Sequence, residues 1–274
     1  MTDTIKVSND YPIILVDTSY FIFYRYYSTL RWYKFKKEDI DYSEIHNDEV
    51  FIRVFEKHIL DTFNKLCKKW KTKLSNMILC CDCSRDTIWR HNHVEFYKEN
   101  RVVNSSFNSH IFSKFYSYIE ENIDRLGLSM VLQSNLEADD IVYLMKEKIK
   151  SLDYTNKLII ITNDNDYLQL IDENTKIINL ANKDISERSI GDPKLDLRIK
   201  LIMGDKSDNI KPIHKGIGQK IALKLALLSD EDFEAYLIEK NCKDKYENNR
   251  LLVDFSMIPE ELIEKFNNSV SIEI

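Results

Sequence analysis

Nine acidic side chains stand in this sequence where they could act together. Asp17 ends the run Ile13-Ile14-Leu15-Val16, and Asp82 ends Met77-Ile78-Leu79-Cys80-Cys81. Asp164 follows Leu158-Ile159-Ile160-Ile161 through Thr162-Asn163, with Asp166 two residues on. Glu137, Asp139 and Asp140 fall within four residues of SNLEADDIVYLMKEKI, and Asp205 and Asp208 are three apart in GDKSDNIKPIHKGIG. One aspartate after a strand is usually a turn former or a helix cap. Acids in a first helical turn favour the helix dipole. Those readings cover one or two residues, but strain to cover three strands of three and three acids in one turn. Carboxylates so grouped would repel, with raised pKa values, unless cations neutralise them. Oxygen-rich sites select magnesium or manganese. Two such ions ~3.5–4 Å apart are the usual apparatus for in-line attack on a phosphodiester. The chemistry indicated is metal-dependent phosphoryl transfer.

The elements that must position these acids are legible as a pattern. Continuous apolar runs of four or five residues read as strands buried on both faces, and their alternation with helix-like segments predicts an α/β fold with a parallel sheet. Weaker strands are expected at Met130-Val131-Leu132 and Ile177-Ile178. Ligands of such sheets sit outside the carboxyl ends of the strands, where Asp17, Asp82 and Asp164 would meet. Ser134 or Asn135 is positioned to cap the helix that carries Glu137 and Asp140, an i, i+3 pair on one face. The run from Glu49 to Lys71, with Val50, Val54, Ile59, Phe63 and Leu66, reads as a scaffold helix. Three of the chain's five glycines lie between Gly204 and Gly218, so backbone there is expected to approach something charged closely.

Composition bounds the rest. With 274 residues and 43% hydrophobic content the chain can bury a real core as one large or two small domains. No apolar run is long enough for a membrane helix, and MTDTIKVSND lacks a signal-peptide core, which implies a soluble intracellular protein. Cys80, Cys81 and Cys83 lack zinc-site spacing and read as buried strand thiols. The abundance of lysine, asparagine and isoleucine fits AT-rich coding, as in many viral and phage genomes. The formal net charge of −6 argues weakly against a nucleic-acid partner.

Five stretches carry a resemblance: LVDTSYFIFYRYY (15–27), CCDCSRDTIWRHNHVEFYKENR (80–101), NLEADDIV (135–142), ITNDNDYLQLI (161–171) and LIMGDKSDNI…GIGQKIA (201–222). In this order they resemble the 5′ nucleases of the flap endonuclease and phage 5′-3′ exonuclease family, over about residues 13–228. KYENNRLLVDFSMIPEEL (245–262) is similar to the corresponding segment of the T-even phage ribonuclease H in that family, which points to a phage or large-virus origin. The resemblance implies a twisted parallel sheet flanked by helices (a PIN-like core), a helical arch and a helix-three-turn-helix module. It places a catalytic core at 1–182, with the arch at about 83–116, and the module with the C-terminal helices packed on the core at 183–274. It implies one metal cluster of Asp17, Asp82, Glu137, Asp139 and Asp140, and a second of Asp164, Asp166, Asp205 and Asp208. With these nine charges set aside the formal net charge moves from −6 to +3, so the acidic total stops counting against DNA.

By the same resemblance Gly216 and Gly218 belong to a hairpin whose amides touch a duplex phosphate, with Lys215, Lys220 and Lys224 beside it and a potassium ion on the turn's carbonyls. If Asp86–Arg101 is largely helical, Arg90, Lys98 and Arg101 share one face. Lys98 and Arg90 are then the catalytic candidates for stabilising charge on the scissile phosphate, and Arg101 a DNA contact. Tyr20 or Tyr24 is a candidate for stacking on an unpaired base, against the ordinary alternative of core packing. Thr18 and Asn163 stand where many relatives carry glycine, and His214-Lys215 replaces a Pro/Gly-rich lead; none of these departures removes a proposed ligand. The implied function is a magnesium-dependent 5′-3′ exonuclease or flap endonuclease, with manganese able to substitute. It would act as a monomer on branched or 5′-tailed DNA and RNA–DNA hybrids beside replication proteins such as a single-strand-binding protein, away from membranes and in the host cytoplasm if the source is a phage. A PIN-like single-strand ribonuclease and a non-catalytic DNA-binding module are the alternatives.

Overall fold

The computed structural model describes residues 3–94, 96–100 and 104–274. In chain order the strands are β1 (Asp3–Lys6), β2 (Ile13–Asp17), β3 (Met77–Cys81), β4 (Ser129–Leu132), β5 (Leu158–Ile161), β6 (Thr175–Ile178) and β7 (Val270–Glu273). Five of them form one parallel sheet in the order β4-β3-β2-β5-β6. Alternate residues point to opposite faces. Ile13, Leu15, Ile78, Cys80, Leu158 and Ile160 enter one core, while Ile14, Val16, Leu79, Cys81, Ile159 and Ile161 enter the other. Covering both faces is why the strands read as unbroken apolar runs.

The helices α1 (Thr18–Tyr33), α2 (Glu49–Trp70) and α3 (His110–Leu126) cover the second face. The first is covered by α4 (Ala138–Lys150) and, from the far end of the chain, α9 (Glu260–Ser269). Between them α5 (Pro193–Met203), α6 (Gln219–Ala226) and α7 (Asp230–Glu239) enclose a smaller core of Ile202, Ala222, Leu225, Phe233 and Leu237. The next helix, α8 (Lys243–Val253), joins it to the rest, since Leu252 and Val253 pack with Ile88, Val94 and Tyr97. Among the described residues no helix is long and apolar enough to cross a membrane.

The sheet's order places the site. The chain steps outward from β2 through β3 to β4, then returns to β2's other side for β5 and β6, so the topological switch falls at β2. Val16 is in register with both Leu79 and Ile161, and Asp17 with Cys80, so Asp17, Asp82 and Asp164 leave the sheet at one edge.

Two expectations change, and a third feature is new. The scaffold helix forms, capped by Asp48 on the amides of Val50 and Phe51, but its buried stripe is Phe51, Phe55, Ile59, Phe63 and Leu66. Val50 is left 46% exposed, because one step of phase buries two more phenylalanines and hence more apolar area. The helix expected over Asp86–Arg101 is absent from its described residues. They form two short 3₁₀ turns, Arg85–Thr87 and Trp89–Asn92, then irregular turns in which Lys98 has φ +56°. Trp89, Arg90 and Tyr97 are all buried, which a helix presenting one basic face could not achieve. The third is an addition: β1 pairs in parallel with β7, a ladder too short and mixed in character to be seen from sequence.

The glycine requirement also moves. Gly204 ends α5 with φ +67°, and a Cβ there would lie 2.4 Å from the Ile210 carbonyl oxygen and 2.7 Å from that of Lys211. Gly216 has φ +87° but open space around it, and Gly218, at φ −116°, has backbone that any residue adopts. Gly204→Ala is therefore expected to destabilise the protein by at least ~1–3 kcal/mol, read as a lower urea midpoint, while Gly218→Ala changes that midpoint little.

Candidate active site

Asp17 caps α1 through the Tyr20 amide (3.0 Å) with one oxygen. Its other oxygen accepts from Thr162 Oγ1 (2.9 Å) and Tyr167 Oη (3.2 Å), so the cap and the site use the same carboxylate. Across the edge, Asp82 accepts from Ser19 Oγ and from the Ala138 amide (2.9 Å) at the start of α4. Burial, reinforced by Asp82, pushes the Asp17 carboxyl up to about 7. Burial raises Asp82 as well.

Glu137, not Ser134 or Asn135, is the N-cap of α4, and its amide donates to Asp140 (3.1 Å). Glu137, Asp139 and Asp140 each offer an oxygen within 4.8 Å of the others, an all-carboxylate set suited to a hard divalent cation. Arg90 enters this group from beneath. Its two terminal nitrogens grip Asp140 at 2.7 and 2.8 Å, one also reaches Glu137 at 2.9 Å, and Nε donates to the Leu252 carbonyl (2.8 Å). Trp89 Nε1 donates to Asp140 as well, at 2.9 Å. At 1% exposure Arg90 is a buried counter-charge whose donors are turned onto the carboxylates. Lys98 reaches the opposite side, with Nζ 2.5 Å from Glu137 and 3.8 Å from Asp208. Burial opposes ionisation of Glu137, but Lys98 and Arg90 outweigh it and hold the carboxyl down to about 2. Asp139 goes the other way, raised well above the usual range by burial and then by Asp140 and Glu137.

The second group is built on the turn after β5 and the loop after α5. Asp164 is exposed and accepts from the Asp166 amide (3.0 Å). Asp205 is held by a two-bond bridge with Ile210, at 2.9 and 2.7 Å. Lys200, one turn before the end of α5, is ion-paired with both Asp166 and Asp205. Burial and then Asp164 lift Asp166 to about 7, whereas Lys200 overcomes burial at Asp205 and draws it to about 2. Asp208 lies between the groups, its carbonyl accepting from the Lys98 amide (3.1 Å).

The structure thus brings Glu137, Asp139 and Asp140 within 4.8 Å of one another, sets Asp17 beside Asp82 at the sheet edge, and joins Asp166 to Asp205 through Lys200, with Asp208 3.8 Å from Lys98. Lys215, Gly216, Gly218, Lys220 and Lys224 are exposed on the turn before α6 and along that helix. Tyr20 accepts from the Leu180 amide (3.0 Å) and its ring lies 6.0 Å from that of Tyr24, over which Arg25 sits at 4.6 Å. Arg101 lies outside the described residues. Sequence reading missed Lys200, one basic residue among 39 and just outside the 201–222 stretch, and the inward role of Arg90.

Comparison with known proteins bears on the family and the fold. The family described as 5′-3′ exonuclease, N-terminal resolvase-like domain, matches residues 12–195. Ribonuclease H of Enterobacteria phage T4 is 25% identical over 229 residues, 77% of this chain and 74% of that protein. DNA polymerase I of Lactococcus lactis subsp. cremoris is 31% identical over 125 residues, 42% of this chain but only 14% of the polymerase. Among solved structures, the T5 D15 protein co-crystallised with metal ions superposes with a TM-score of 0.62 at 17% identity, covering 93% of this chain and 96% of that one. A T5 D15 flap endonuclease complex with DNA and metal ions gives 0.61 over the same shares.

Two outcomes follow from the charge balance. Arg90→Ala would leave the buried Asp140 carboxylate without its cation and Glu137 with Lys98 alone, which is expected to cost ~3–5 kcal/mol in chemical denaturation. The second concerns pH. Asp17 and Asp166 have folded values of about 7 against an ordinary 3.8, so their contribution is full below 3.8 and lost as pH rises through about 7. Glu137 and Asp205, drawn to about 2, contribute above their ordinary values and lose stability only in stronger acid. In chelator, the melting temperature is expected to fall from about pH 5 to about pH 8, to fall less in Asp17→Asn, and to recover on adding a divalent cation.

Proposed function

The chain belongs to the 5′-3′ exonuclease family, and on that premise we propose that it is a magnesium-dependent, structure-specific 5′ nuclease. Its substrates would be branched or 5′-tailed DNA and RNA–DNA hybrids, cut near the junction of single strand and duplex. The observation that carries this reading is the meeting of Asp17, Asp82 and Asp164 at the carboxyl edge of the sheet, faced by Glu137 and Asp139 on one side and by Asp166 and Asp205 on the other. A binding module would have no use for this density of buried, mutually repelling acids. A single-strand ribonuclease would have no use for the exposed turn and basic face of α6.

In this reading Asp17, Asp82, Glu137, Asp139 and Asp140 serve one magnesium ion, and Asp164, Asp166, Asp205 and Asp208 a second; manganese would substitute. When bound, such ions supply Lewis acidity at the phosphate and lower the pKa of attacking water. Arg90 acts as a positioning residue, since its fork fixes the oxygens of Asp140 and one of Glu137. Lys98 is the catalytic cation: its Nζ stands between Glu137 and Asp208, and a phosphate arriving there would exchange a carboxylate contact for a charge-assisted bond that strengthens as charge develops. Its positive φ is the kind of held strain found at sites of chemistry.

Residues 1–182 would form the catalytic core, completed by Asp205 and Asp208, and 183–274 would also hold duplex through Gly216, Gly218, Lys215, Lys220 and Lys224, with potassium on that turn. Arg101 and either Tyr20 or Tyr24 would guide the unpaired strand. Removal of RNA primers and displaced 5′ flaps in replication is the role this chemistry suits, by a monomer working beside a single-strand-binding protein.

The test is a duplex carrying a 5′ flap labelled at its 5′ end, with magnesium, and a matched single-stranded RNA in parallel. Flap-length products that vanish in chelator are expected. Asp164→Asn and Lys98→Met should each lower the rate by roughly 10²-fold or more. Cleavage of the RNA alone, or parent-rate cleavage by Asp164→Asn, would sink the assignment.

A further inference from the structure

Arg188 makes no ion pair among the described residues, although it stands beside an acidic site. Its acceptors are all neutral: the Asn163 carbonyl (3.3 Å), Asn163 Oδ1 (3.2 Å) and Asn165 Oδ1 (2.8 Å). These two asparagines bracket Asp164. The turn that presents Arg188 is anchored: Ile185 is fully buried, the Ile177 amide donates to Ser186 Oγ (3.1 Å), and Ser186 donates its own amide to Asp184 (2.9 Å). Asn163 Oδ1 is itself held by Asn179 (3.0 Å). Neutral acceptors orient a guanidinium without cancelling its charge. A guanidinium has five N–H groups, and the three contacts leave Nε–H and one Nη2–H, the edge that grips an anion bidentately.

There is room for an anion to arrive. A cavity of about 300 Å³ opens beside this side chain, with Arg188, Asn165, Asp166 and Lys200 among its polar walls and Leu197 and Met203 among its apolar ones. We propose that Arg188 binds a backbone phosphate of the nucleic-acid strand entering this cavity beside the second carboxylate group. The inference rests on the nuclease reading and adds to it a phosphate contact outside the nine acids, Lys98 and the turn before α6.

The experiment measures equilibrium binding of the 5′-flap duplex over a range of salt, with calcium in place of magnesium, for the parent, Arg188→Gln, Arg188→Lys and Lys57→Gln. Lys57 is an exposed lysine of α2 and controls for loss of any positive charge. Arg188→Gln is expected to weaken binding several-fold and to reduce the slope of log affinity on log salt by about one. Arg188→Lys should keep the slope, Lys57→Gln should change neither quantity, and all variants should melt at the parent's temperature. If Arg188→Gln keeps the parent's affinity and slope while kcat falls, Arg188 only positions Asp164 and the proposal is wrong. A parent that binds no flap at any salt overturns the nuclease reading, and the assignment of Arg188 with it.

Discussion

Repulsion among carboxylates is the constraint around which this structure is arranged. Nine acids brought to one edge of a sheet would drive the edge apart, and three side chains keep it together. Arg90 neutralises Asp140 and Glu137 from beneath, Lys98 spans Glu137 and Asp208, and Lys200 spans Asp166 and Asp205. The balance is partial by design. Glu137 and Asp205 are held firmly ionised, while Asp17, Asp139 and Asp166 are left with raised pKa values and a standing demand for positive charge. The fold spends no apolar packing on that demand, since both cores lie along the faces of the sheet and not at its end.

The permanent cation is an arginine and the other two are lysines, and the chemistry of each suits its place. A planar fork matched to two carboxylate oxygens makes a rigid floor, and its weaker hydration makes burial cheaper. An ammonium is a point charge on a flexible stem, able to change partners as other ions approach.

Much of this was legible in the sequence because burial on both faces leaves a plain signature. The runs ending in Asp17, Asp82 and before Asp164 are strands for the same reason that they contain no polar residue. What escaped was whatever depends on tertiary partners. Nothing local distinguishes Arg90 from a surface arginine, since its burial is compensated by acids 47 and 50 residues away. The basic stripe inferred for 86–101 failed for that reason: periodicity can place a charge on a helix face but cannot see a carboxylate waiting in the core. Gly204 was undervalued because its need arises from carbonyls six and seven residues later that fold back over it. Within α2 valine and phenylalanine stand side by side at 50–51 and 54–55, so periodicity alone does not fix the phase and packing chooses it.

The bond from Arg90 to the Leu252 carbonyl reaches across 162 residues of sequence. Leu252 belongs to the last turn of α8, whose Asn249 holds the carbonyls of Leu201 and Lys211 at 2.8 and 3.0 Å, on either side of the Asp205–Asp208 loop. Arg90 and Asn249 are thus two pins on one shaft: one sets the oxygens of Asp140, the other the ends of the loop that carries Asp205 and Asp208. The two carboxylate groups share a mechanical reference, and a displacement of α8 along its axis would be felt by both at once.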